Sequence, residues 1–195
     1  MTAVQEPQYM DCPAGVVGGL VETISTALLD NFPKLSADES DIELVLDALH
    51  VLRPHVAEIN ALDGVLQMTR SNWDSAIHIL RDVCDAAPQF GQARALLAYC
   101  LSMKSDPEWK RFAEEALEIS PSTDTRYLVQ ALQARDDLTR AVEAAQNGAE
   151  FVVPDSVARL TALANTDGMA GEQPDTAQAQ TQPTPDASMY SFRRA

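Results

Sequence analysis

Three prolines recur at a nearly constant interval in the middle of this chain of 195 residues. Pro54, Pro88 and Pro121 are separated by 34 and 33 residues, and each follows a stretch with the apolar spacing of an amphipathic helix. Proline is common just beyond a helix end because it lacks the amide hydrogen that a helix interior requires. The spacing therefore predicts a repeated helical unit that ends at each proline.

Apolar residues keep the helical period through most of the chain, and no segment alternates with a period of two. One predicted helix begins at Ser40, where Ser40 and Glu43 have the pattern of a capping box. The predicted helices cover residues 19–32, 40–54, 57–70, 73–86, 92–103, 107–119, 124–140 and 155–163. The sequence therefore predicts an all-α protein.

A period of about 34 residues is that of the tetratricopeptide repeat, a helix–turn–helix unit that stacks on its neighbours. The unit 57–90 matches this pattern well, because Gly64 and Ala76 are small and Leu80 is bulky at the required positions. We expect Gly64 to accept Ala but not Leu, since a large side chain would force the two helices apart. We predict a tetratricopeptide-like stack of about three helical hairpins, with generic hairpins as the alternative.

Composition divides the chain into three parts. Residues 1–14 are polar and contain proline, which predicts a flexible N-terminal arm, and residues 15–164 form the helical domain. Residues 165–195 are rich in Gln, Thr, Pro, Ala and Asp, and they offer little apolar surface to bury. We therefore predict a disordered low-complexity tail after residue 164.

The charge balance limits the classes of partner. The formal net charge is −15, with 29 carboxylates against 14 Lys and Arg. Nucleic acids and anionic membranes both require clustered cations, so neither is an expected partner. The apolar run from Cys12 to Leu20 is too short for a membrane span, and Glu6 and Asp11 stand where a signal peptide would be basic. We expect a cytoplasmic protein.

The residue types that commonly carry catalysis or bind metals are few. The candidates are Cys12, Cys84 and Cys100, with His50, His55 and His78. Pro54 separates His50 from His55, so no continuous helix aligns them as metal ligands. Six residues separate His78 from Cys84, which points their side chains to different faces of a helix. We predict no enzymatic activity, no metal and no cofactor.

Two tryptophans, Trp73 and Trp109, each stand in the first turn after a predicted loop. We interpret both as packing residues that lock one hairpin against the next. An exposed anchor for a partner is the alternative.

Three runs together resemble a known family. They are LVLDALHVLRP at 44–54, RSNWDSAIHILRDV at 70–83 and ALLAYCLSMKSDPEW at 95–109. Their content and order resemble the Hrp B/K family of small type III secretion proteins from plant-associated and related proteobacteria. The resemblance covers residues 19–132, and the chain departs from the family at the connector 34–40 and in the long tail after about residue 140, which the compact family members lack.

The resemblance implies a non-catalytic accessory protein of the type III secretion machine. It implies a chaperone or adaptor that holds a helical secretion subunit, such as a needle or pilus subunit, before export. The alternative is a periplasmic structural component that binds the cell wall and parts of the apparatus and reaches the periplasm without a classical signal. Self-association into a homo-oligomer stays open.

In tetratricopeptide folds the first helix of each hairpin lines a groove that receives the partner. By register, this predicts eight groove residues in the second and third units. They are Ala61, Val65, Met68, Thr69, Ala95, Tyr99, Ser102 and Met103. For Val65, a place in the core between the hairpins is an equally good interpretation.

Overall fold

A computed structural model describes residues 12–168, with side chains described up to residue 162. Within this range the chain forms eight helices and no strand. The helices are α1 (Ala14–Leu29), α2 (Glu39–Leu52), α3 (Ala57–Thr69), α4 (Trp73–Ala86), α5 (Gly91–Met103), α6 (Trp109–Ile119), α7 (Thr123–Gln146) and α8 (Asp155–Gly168). The all-α prediction is confirmed.

The first six helices form three hairpins, α1–α2, α3–α4 and α5–α6, which stack in chain order. Pro54, Pro88 and Pro121 each lie two residues after the last residue of a hairpin's second helix. The first helix of each hairpin packs against the first helix of the next, and α7 packs on α5 and α6. The predicted tetratricopeptide-like stack is therefore confirmed, with α7 covering its last hairpin.

The turns inside the second and third hairpins are built in the same way. Ser71 and Ser105, 34 residues apart, both have a left-handed backbone, with φ of 57° and 58°. After each serine, the next amide donates to a carbonyl five residues earlier, from Asn72 to Gln67 and from Asp106 to Leu101, both at 2.9 Å. This is the bond pattern of a Schellman turn, which satisfies the last carbonyls of a helix. The repeat is thus visible in the backbone as well as in the sequence.

The core runs along the stack, between the hairpins. Ile59, Leu80, Leu97 and Leu49 are each fully buried, and Trp109 is only 5% exposed. The place of Trp109 confirms its interpretation as a packing residue. Trp73 is partly buried against the same core.

Some helix ends differ from the prediction. The capping box predicted at Ser40 and Glu43 is wrong, because α2 begins one residue earlier, at Glu39. Asp38 caps the helix instead, and its carboxylate accepts the amide of Ser40 at 2.9 Å. Helix α1 begins at Ala14, five residues before the predicted start, and α7 continues to Gln146.

The chain divides into two compact units after Leu160. The first contains α1 to α7 and the start of α8, and in the second the structure describes only residues 161–168. Most of the predicted arm at 1–14 and of the predicted tail at 165–195 lies outside the described residues. Across residues 12–168, no helix combines the length and the apolar composition that crossing a bilayer requires.

A candidate partner-binding groove

The eight predicted groove residues fall into two groups by burial. Ala61, Val65, Met68 and Ala95 are at most 4% exposed and belong to the core. The other four are half-buried, and they are Thr69, Tyr99, Ser102 and Met103. Only this second group offers side-chain surface to a partner as the chain stands.

Ala61 and Val65 line a pocket of about 200 Å³ where α1, α3 and α5 meet. Helix α1 contributes Val21, Ser25 and Leu29 to its wall. The other lining residues include Glu58, Leu62, Phe90, Gln92 and Leu96. We call this pocket and its walls the α1–α3–α5 groove. It is lined by the first helices of all three hairpins, as the register argument expects of a groove.

The α1 side of this groove was not among the predicted site residues. The sequence showed the repeat pattern clearly only in the second helix of the first hairpin, because the long segment 30–38 separates α1 from α2. The helical spacing of Leu20, Ile24 and Leu28 was the available signal. These residues face the core side of α1, so Val21, Ser25 and Leu29 fall beside the groove.

Tyr99 lies in an aromatic cluster away from the lining of the 200 Å³ pocket. Its ring meets Phe32 nearly edge-on, with centroids 5.9 Å apart and planes at 80°. The ring of Trp73 lies 6.1 Å from it, tilted by 58°. Phe32 follows α1 and Trp73 begins α4, so the cluster ties the first hairpin to the second and third. Burial raises the pKa of the Tyr99 hydroxyl.

Ser102 and Met103 face α7. Arg135 of α7 donates to the Met103 sulfur at 2.7 Å. Ser102 lines a second pocket, of about 280 Å³, together with Arg135 and Thr139. The structure therefore brings Ala61 and Val65 together in one pocket and places Ser102 in another.

The structure buries two of the candidate cysteines and pairs two of the candidate histidines with carboxylates. Burial raises the pKa of the Cys84 thiol to about 11 and that of Cys100 to about 12, so both stay protonated at neutral pH. His50 of α2 pairs with Asp63 of α3, and the two atoms Nε2 and Oδ2 are 2.6 Å apart. Exposed His78 pairs with Asp82 on the same helix at 3.0 Å. Among the described residues, no three His, Cys, Asp or Glu side chains converge as a metal site.

Comparison with known proteins assigns this chain to a family. No curated protein and no solved structure matches this chain. The model of one family, described as bacterial type III secretion protein (HrpB1_HrpK), matches residues 7–138. The match spans more than half of the chain and covers the three hairpins and the first part of α7. The chain therefore belongs to the HrpB1_HrpK family of bacterial type III secretion proteins.

Proposed function

We propose that this protein is a non-catalytic chaperone or adaptor of a type III secretion system. In this proposal, it holds an amphipathic helix of a secretion subunit in the α1–α3–α5 groove. Family membership supports a role in secretion. The single observation that supports a binding role is the apolar wall of the groove, where Leu29 is 39% exposed beside Val21 and Leu96.

The size of the groove favours side chains over a small molecule. Sites for small ligands usually measure about 300–1,000 Å³. The groove holds about 200 Å³, which suits a few apolar side chains that project from one face of a helix. Glu58 and Gln92 also line the groove, and both can form hydrogen bonds with polar groups along the edge of a bound helix.

A secretion subunit that polymerises through an amphipathic helix exposes an apolar stripe while it waits in the cytosol. Covering that stripe removes apolar surface from water, which favours the complex, and it also blocks self-assembly. Four of the eight residues predicted from register keep a part in this proposal. Ala61 and Val65 form the floor of the groove, and Thr69 and Tyr99 are half-buried surface further along α3 and α5.

The test uses the full chain and a purified needle or pilus subunit from the same secretion system. Isothermal titration calorimetry measures affinity and stoichiometry, and sedimentation measures subunit polymer. We expect one-to-one binding and less polymer when the chain is present. A subunit that neither binds nor changes its polymerisation would contradict the chaperone role.

A pair of matched variants locates the binding surface. Leu29→Glu places a charge in the groove, and Leu138→Glu places the same charge on α7 at a residue of equal exposure, 39% against 38%. We expect Leu29→Glu to weaken binding about tenfold or more, equivalent to roughly 1.4 kcal/mol. Leu138→Glu should stay within about twofold. Circular dichroism must show that both variants keep the helical fold, and equal losses would place the partner elsewhere.

We propose the cytoplasm as the site of action, with the periplasm as the competing compartment. Fractionation of cells that carry the native secretion system distinguishes the two. A cytoplasmic pool bound to the subunit supports the chaperone. Recovery from the periplasm together with cell-wall material would support the structural component instead.

A further inference from the structure

Helix α2 stands apart from α4. Along the whole of both helices, no Cα of α2 lies within 8 Å of a Cα of α4. Among the described helices α2 packs on α1 and α3 only, and its contact with α3 is less extensive than the equivalent contact of α4 with α5. The gap is a cleft of about 610 Å³ that is lined by residues of α2 and α3 and by Ile79 of α4. We call it the α2–α4 cleft.

The floor of the α2–α4 cleft is apolar. Leu46 and Leu66 line it and are at most 4% exposed, and Ile79 of α4 is half-buried there. Leu44 lines the cleft from α2 and is 66% exposed. Val51 lies two helical turns further along the same face of α2 and is 56% exposed. This face of α2 therefore presents large aliphatic side chains that no other described element covers.

Carboxylates surround this apolar surface. Glu43, Asp47 and Asp63 all line the cleft. Glu43 pairs with Arg70 at 2.5 Å, and Asp63 pairs with His50. Asp47 has no cationic side chain within 4.0 Å among the described residues. Burial raises the pKa of Asp63, the hydrogen bond and the charge of His50 lower it, and the nearby charge of Asp47 makes a smaller contribution that raises it.

The wider surroundings of the α2–α4 cleft are also negatively charged. Apart from Glu58, which lines the α1–α3–α5 groove, residues 38–70 contain six carboxylates and two arginines. An apolar floor with an acidic rim complements a helix that carries the opposite arrangement, an apolar stripe edged by Lys or Arg. An acidic or neutral helix would leave Asp47 desolvated without a counter-charge, which disfavours binding.

We propose that the α2–α4 cleft binds a cationic amphipathic helix of a protein partner. This site is separate from the α1–α3–α5 groove and does not depend on the function proposed for that groove. Helix α2 has 14 residues, about 21 Å at 1.5 Å per residue, so a helix of about four turns matches the length of α2, whose residues between Ser40 and Asp47 line the cleft.

The probe is a synthetic 14-residue amphipathic helix of Leu and Lys, with a Leu–Glu peptide of the same pattern as its charge-reversed counterpart. Binding to the full chain is measured by calorimetry at 150 mM salt, where non-specific attraction between exposed charges is screened. Chemical-shift changes in ¹H–¹⁵N spectra locate the bound peptide. We expect binding of the Leu–Lys peptide only, with shifts confined to α2, α3 and α4.

Two variants with the same change in net charge separate this site from general electrostatic attraction. Asp47→Lys reverses a charge within the cleft, and Asp85→Lys reverses an exposed charge on α4 that does not line it. We expect at least a tenfold loss of affinity for Asp47→Lys and less than a twofold loss for Asp85→Lys. Leu44→Gln should also weaken binding, because it removes apolar contact without changing charge.

Three results would overturn the proposal. They are no binding of the Leu–Lys peptide, equal losses for Asp47→Lys and Asp85→Lys, and shifts centred on α1 and α5. The groove variant Leu29→Glu should bind the peptide as the unmodified chain does. Failure of this site is therefore distinguishable from failure of the α1–α3–α5 groove.

Discussion

Gly64 and Leu80 hold α3 and α4 in close contact. A Cβ atom added to Gly64 would lie 2.9 Å from Cγ of Leu80 and 3.0 Å from its Cδ2. Leu80 is fully buried, so it cannot move out into solvent to make room for a side chain at position 64. The sequence predicted the pairing of a small residue at 64 with a bulky one at 80, and the structure confirms it.

The same distance corrects one expectation. Gly64→Ala was expected to be accepted, but its methyl group would overlap the Leu80 side chain. We now predict that Gly64→Ala lowers the free energy of unfolding by about 1–3 kcal/mol, and that Gly64→Leu costs more. Urea unfolding followed by circular dichroism measures the change. In a Leu80→Ala background the cost of Gly64→Ala should largely disappear, and its persistence would contradict the contact.

Gly18 in α1 provides the matched control. A Cβ atom there has no neighbour within 4 Å. Gly18→Ala should therefore stabilise the helix, by up to about 1 kcal/mol, because alanine loses less backbone entropy than glycine on folding. A destabilising Gly18→Ala would show that helix propensity does not govern α1.

Ser71 and Ser105 offer a second prediction. Both hold a positive φ, which is unfavourable for a residue with a Cβ atom and neutral for glycine. Ser71→Gly and Ser105→Gly should each raise the free energy of unfolding by roughly 0.5–1 kcal/mol. Thermal and urea unfolding measure the gain. Ser75→Gly, inside α4, is the control and should destabilise the protein by a similar amount.

Much of the fold followed from local sequence signals. Helix α4 has the predicted ends, and α3 and α5 differ from prediction by one residue. Apolar periodicity and proline position fix these elements because each hairpin buries one face against its neighbours. The Ser40–Glu43 box failed because Asp38 is an equally good cap and lies earlier in the chain.

Contacts between distant segments could not be predicted in the same way. A Cβ atom at Gly91 would lie 2.7 Å from Cβ of Ser120, at the far end of the third hairpin, and nothing near Gly91 in the sequence signals this approach. The sequence also did not predict which surfaces are exposed. Register placed Met68 on a groove wall, whereas it is 3% exposed, and the gap between α2 and α4 depends on how hairpins stack.

The raised pKa of Asp63 predicts how the free energy of unfolding depends on pH. Its pKa is raised in the folded chain, chiefly by burial, with His50 acting in the opposite direction. The folded state therefore holds this proton to higher pH than the unfolded state, whose carboxyl has a pKa near 3.8. By linkage, the contribution of Asp63 to stability falls as pH rises from about 4 through the folded pKa.

Comparison with Asp63→Asn isolates this contribution. Urea unfolding of both proteins is measured at several pH values from about 4 upward. The stability of the unmodified chain, relative to the Asn variant, should decline as pH rises across this window. A relative stability that rises with pH would mean that the ion pair with His50 outweighs burial, which contradicts the direction of the shift.

The three cysteines predict an ordered pattern of thiol labelling. Cys12 is partly exposed, whereas Cys84 and Cys100 are buried and their pKa values are raised to about 11 and about 12. At pH 8 both buried thiols are therefore almost entirely protonated, so an aromatic disulfide reagent should label one thiol quickly in the native chain and all three in urea. Cys12→Ser should remove the fast phase and leave the slow one.

Slow labelling of Cys84 and Cys100 then reports the opening of α4 and α5, and its rate should rise in the destabilised Gly64→Ala variant. Rapid labelling of two or three thiols in the native chain would contradict the packing of the second and third hairpins.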